Sequence, residues 1–77
     1  MVSSKKIDDQ VFRVRRNLGI RLSLLRKKRE MSVSEVAEVC GLSVNRIEMI
    51  EDGRSFSLKH LFLLAAVYKV RVKVLFR

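Results

Sequence analysis

Apolar residues recur in the first third of the chain at Val11, Val14, Leu18, Leu22 and Leu25. Steps of three and four are one face of a single long helix, which this pattern starts near Ile7. Asp8 and Asp9 suit its beginning and the run Arg26-Lys27-Lys28-Arg29 its end, because the helix dipole favours anions at the first turn and cations at the last. Gly19 lies off the stripe, where it costs about 1 kcal/mol relative to alanine without ending the helix. The helical period then continues in two shorter pieces, Val36, Ala37 and Cys40 before Gly41, and Leu42, Ile47 and Ile50 after it. Ser32 followed three residues later by Glu35 is a capping box and opens a helix over Val33–Cys40. Gly41 can take the left-handed conformation that ends that helix, and Ser43 can cap the next, over Val44–Glu51. Two helices meeting at a sharp turn follow, with the small Ala37 at their crossing.

Asp52-Gly53-Arg54 reads as a turn, and Ser57 caps a further helix over Leu58–Tyr68, apolar almost all round and so in need of cover on more than one side. After Lys69 the period changes. Val70, Val72 and Val74 alternate with Arg71 and Lys73, which predicts a strand over residues 70–76. A lone strand leaves its backbone groups unpaired, so it is expected to pair with its copy in a second subunit as an antiparallel ribbon. Val70, Val72, Val74 and Phe76 would then face the last helix, with Leu61, Leu64 and Tyr68 completing the dimer interface, while Arg71, Lys73, Leu75 and Arg77 point outward. A short fifth helix is the alternative, and it would turn Val70, Val74 and Leu75 inward. The expected fold class is mainly α, four helices and a C-terminal β-strand. Residues 1–6 form a flexible basic arm, and residues 7–77 one domain.

At 77 residues the chain is near the size where association with a second copy commonly supplements a small core. Seventeen Lys and Arg against eight Asp and Glu give a formal charge of +9, which suits a polyanion such as nucleic acid, although a basic domain without that role carries the same charge. Cys40 is the only cysteine, which excludes an internal disulfide, and its place in the apolar stripe makes it a core residue. His60 is the only histidine and has no carboxylate pair at ligand spacing, so no metal and no cofactor are expected. No nucleophile, base and orienting group occur together, which disfavours an enzyme. Without an apolar leader or a run of about 20 apolar residues, a cytoplasmic protein with no membrane partner is expected.

Ala37, Gly41, the apolar positions Val36, Cys40, Leu42, Ile47 and Ile50, and the run IEMIEDG from Ile47 to Gly53 resemble the helix-turn-helix repressors of the phage Cro and repressor type, the XRE family. The resemblance covers roughly Val14 to Phe76. It implies a four-helix, lambda-repressor-like domain that binds double-stranded DNA as a homodimer, with the second helix of the motif in the major groove. Val44, Asn45, Arg46, Glu48 and Met49 would face the base edges: Asn45 can pair with adenine, Arg46 can reach guanine or a phosphate, and Val44 can pack on a thymine methyl. Glu48 and Met49 are equally consistent with exposed positions that touch nothing. Lys28, Arg29, Ser32, Ser34, Ser43 and Arg54 would lie along the DNA backbone, the basic helix end being alternatively a solvated one. Arg26 is implied to pair with Glu51.

The departures from the family pattern are Val33 and Val44, where glutamine is usual, and Asp52, which with Glu48 and Glu51 makes the end of the recognition helix acidic. From Ser57 to Leu75 the chain is similar to HipB-type antitoxins, which would add a toxin protein as a partner. Two functions are open: a sequence-specific transcriptional regulator acting as a repressor, or a protein-interaction or antitoxin module whose DNA binding is weak or lost. The operator sequence is not encoded in any pattern found here.

Overall fold

The computed structural model describes residues 2–77, with four α-helices, α1 Ser4–Lys28, α2 Val33–Cys40, α3 Val44–Glu51 and α4 Leu58–Val67, and a closing 3-10 turn at Val72–Phe76. A serine precedes every α-helix. Ser3, Ser32, Ser43 and Ser57 each accept a hydrogen bond from the amide three residues on, which satisfies one of the donors a helix start leaves free. At Ser32 the box is closed from both sides, because Glu35 accepts from the Ser32 amide at 2.9 Å. That bond from the Ser32 amide, joined by the Ser32 side chain, holds the Glu35 carboxyl below the usual carboxylate range. Gly41 ends α2 in the left-handed conformation at φ 77° and turns the chain into α3.

Leu18 and Leu22 from α1, Val36 and Ala37 from α2, Ile47 and Ile50 from α3, Leu61, Leu64 and Tyr68 from the α4 region, and Leu75 form one core. Gly19 is buried on the side of α1 that crosses α3. A side chain there would meet the Glu51 carbonyl oxygen, and the Ile50 carbonyl oxygen at 2.6 Å. These are backbone atoms that cannot swing away. Gly19 is therefore a close contact between α1 and α3, not a dispensable weakness in α1.

The expected strand at residues 70–76 and its pairing across a dimer are corrected by the structure, in which the described residues form no strand. Lys69 takes a left-handed conformation at φ 57°, and the Val70 amide folds back to the Ala65 carbonyl at 3.0 Å, which stops α4. The chain then tightens into the 3-10 turn, where the Val74 amide donates to the Arg71 carbonyl at 3.0 Å and Arg21 Nη1 donates to the Val74 carbonyl at 3.2 Å. With a period near three, Leu75 enters the core at 2% exposure, while Phe76 points out at 55%. Val70, Val72 and Val74 are half-buried. The physical reason is that the turn fits one leucine between α1 and α4 and satisfies backbone groups within the chain, so it needs no second strand. Leu61, Leu64 and Tyr68 are likewise enclosed by their own chain.

Two further differences concern cover. Helix α1 starts at Ser4, three residues earlier than its apolar pattern suggests, and only the inner part of its stripe is buried, with Val11 and Val14 exposed. Helix α4 is covered on one face, leaving Leu58 and Phe62 in solvent. No helix among the described residues is long and apolar enough to cross a membrane.

Gly19→Ala is expected to lower stability by about 1–3 kcal/mol, as overpacking does, where helix propensity alone would raise it by about 1 kcal/mol. Chemical denaturation of the two proteins decides the sign. Tyr68, the only tyrosine, has a buried hydroxyl with no hydrogen-bond partner. Burial, helped by the nearby Glu51 carboxylate, pushes its pKa from 10.0 up to about 12. The folded state then keeps a proton that the unfolded state gives up, so stability from this group is full below pH 10.0 and is lost as pH rises through about 12. Phenolate absorbance should titrate near the higher value in the folded protein, and Tyr68→Phe should remove this part of the alkaline destabilisation.

Candidate nucleic-acid interface

Helix α3 buries Ile47 and Ile50, and the helical period therefore turns Asn45 to the middle of its outer face, with Glu48 and Met49 on either side. Asn45 Nδ2 donates to Met49 Sδ at 3.6 Å, a link between neighbouring turns. Val44 and Glu48 lie along one flank of this face and Arg46 along the other. Val44, Asn45, Arg46 and Glu48 are exposed, and Met49 is half-buried. Arg46 does not extend freely outward, because its Nη1 donates to Ser55 Oγ at 2.8 Å across the loop that follows α3. Ser55 was not among the residues singled out by pattern. It lies nine positions on, and no local signal connects it to Arg46.

The residues expected along the DNA backbone lie at helix ends and in the loop after α3. Lys28 and Arg29 are exposed at the end of α1, Ser32 and Ser34 at the start of α2, and Ser43 at the start of α3. Ser32 and Ser43 use their oxygens as acceptors in helix capping, and each hydroxyl still has its own proton to donate. Arg54 pairs with Asp52 at 2.8 Å, both groups being well exposed. Val33 packs partly against the core instead of offering a polar group. A shallow polar groove runs between these elements, lined by Arg26, Val33, Asn45, Glu48, Asp52 and Arg54. No group of three or more metal-ligating side chains occurs among the described residues.

Beneath the groove, Arg26 grips Glu51 with two nitrogens. Its Nε donates to Oε2 at 2.8 Å and its Nη2 to Oε1 at 3.1 Å, while Nη1 donates to the Met31 carbonyl at 3.0 Å. Both side chains are nearly enclosed, at 13% and 12% exposure. The hydrogen bond to Glu51 raises the Arg26 pKa further above its ordinary value, against the opposing effect of burial. The planar two-point geometry fixes the end of α1 to the end of α3. Arg26→Met or Glu51→Met alone should cost about 3 kcal/mol, since either leaves a nearly buried charge without its partner. The double variant should recover much of that loss in a thermodynamic cycle, whereas additive losses would show that the pair is not coupled.

The comparisons with known proteins agree with this arrangement. No curated protein matches the chain. A family model described as helix-turn-helix matches residues 22–75, from the last seven residues of α1 through α2, α3 and α4 to the closing turn. On that match, and with the paired helices α2 and α3 in place, the chain belongs to the XRE-type helix-turn-helix family of DNA-binding regulators.

Proposed function

We propose that the protein is a sequence-specific transcriptional repressor that binds its operator as a homodimer and reads the major groove with the outer face of α3. The observation that carries this reading is the charge state of that face. Glu51 is taken up by Arg26 and Asp52 by Arg54, so of the three anions at the end of α3 only Glu48 has no ion-pair partner. The acidic cluster in the sequence is therefore not an acidic surface towards a phosphate backbone. Asn45 stands at the centre of the face and suits adenine, and Arg46 can leave Ser55 for a guanine or a phosphate at the loss of one exposed hydrogen bond. Lys28, Arg29, Ser32, Ser34 and Ser43 serve as the backbone contacts that set the register, joined by Arg54 through the donors that its bond to Asp52 leaves free. A dimer is proposed because one short helix reads few base pairs, and two copies read a palindrome.

A second reading has one observation in its favour. Leu58 and Phe62 form an exposed apolar ridge on α4, which a protein partner such as a toxin would cover. In that reading the chain is an antitoxin or assembly module.

Binding to a duplex should be strongly salt-dependent. If a dimer neutralises about six phosphates, log affinity should fall against log salt with a slope near roughly −5. Asn45→Ala should cost about 1–3 kcal/mol on the preferred sequence and relax the preference at one base position. Fluorescence anisotropy with duplexes recovered from a random pool measures both. Binding that ignores salt and sequence alike would leave the partner-protein reading as the better one.

A further inference from the structure

The outer half of α1 has no role in the interface above. Ile7, Val11, Val14 and Leu18 recur at steps of four, three and four, one continuous stripe that Leu22 and Leu25 extend. Its inner members lie in the core, with Leu18 at 3% and Leu22 at 0% exposure, whereas Ile7, Val11 and Val14 are 42%, 41% and 49% exposed. The elements that pack most extensively on α1 are α3 and the closing turn, and they do not enclose Ile7, Val11 and Val14. Arg16 marks the limit, where α1 meets Gly53. Residues 7–21 also precede the stretch that the family model matches, so the family motif does not account for this stripe.

We infer that the outer half of α1 is a self-association surface, on which Ile7, Val11 and Val14 pack antiparallel against the same residues of a second copy. Alternating steps of three and four are the spacing of a two-helix seam. The flanks decide the occupant. Asp8 and Arg15 lie on one flank of the stripe, two turns apart, and both are exposed. An antiparallel pair centred between Val11 and Val14 sets Asp8 of each chain opposite the partner's Arg15, twice over. Gln10 and Asn17, on the other flank, face each other without charge. A parallel pair would bring neither match together. A surface complementary to itself under a twofold rotation is what an isologous dimer requires. Phe56 lines the groove beside Ile7, Val11, Val14 and Arg15, so the arriving helix meets a further apolar wall. Ile7, at the outer end of the surface, is about 28 Å along the helix from Arg26.

This inference locates the twofold contact of the proposed dimer, and it is tested without DNA. Sedimentation of the full chain from micromolar to near-millimolar concentration should show a reversible monomer–dimer equilibrium. Asp8→Arg leaves cations at both positions and Arg15→Asp leaves anions, so each variant should dimerise about tenfold more weakly. An equimolar mixture of the two restores opposite charges at both contacts and should recover dimers. Helical circular dichroism should be unchanged, since both positions are exposed. A wild-type chain that stays monomeric throughout would overturn both the dimer and this surface. Dimers indifferent to either reversal, or a mixture that does not recover, would overturn this surface alone and leave the dimer and DNA readings standing.

Discussion

Helix α1 and the end of α3 approach closely where Gly19 leaves room for the carbonyls of Ile50 and Glu51. A methyl group at that point would push α3 away from the helix that anchors it. Much else depends on this proximity. Arg26 can reach Glu51 with both nitrogens only because the helices already run close together, and the groove above the pair takes its lining from the same junction. Gly53 extends the contact at the following turn, where a left-handed φ of 79° and the backbone of Arg16 both favour a residue without a side chain.

The parts of this arrangement that were legible in sequence are those that local chemistry determines. Ser32 with Glu35, Ser43 and Ser57 mark helix starts because a cap and the amide it satisfies lie three residues apart, Gly41 marks a helix end by its left-handed turn, and the extents of α2 and α3 follow from them. Gly19 was not legible in that way. A glycine off an apolar stripe looks like a weakness until the element that crosses it is known, and that element lies about thirty residues further along the chain. Residues 70–76 failed for a related reason. Three valines alternating with cations satisfy a period of two, yet a single slot for Leu75 between two helices outweighs the alternation once the chain can turn back at Lys69. Arg26 and Glu51 carry no spacing that joins them, and only the family resemblance placed them together.

The charges show why composition alone said little about the candidate interface. A formal excess of nine positive charges describes the whole chain, whereas the outer face of α3 depends on which anions remain free. Two of the three near its end are engaged by arginines from different places, Arg26 from α1 and Arg54 from the loop. Partner geometry determines the local field.

Helix α3 is held at its C-terminal end twice through one residue, Glu51, whose carbonyl rests on Gly19 and whose carboxylate is held by Arg26. The side chains of Asn45 and Met49, on the outer face, take no part in either attachment. Anchoring and the proposed reading are thus separate tasks on a helix of eight residues. If α3 reads DNA as proposed, exchanges at the outward positions alter which sequence is preferred while the domain keeps its stability, so drift from one target to another need not pass through a poorly folded intermediate.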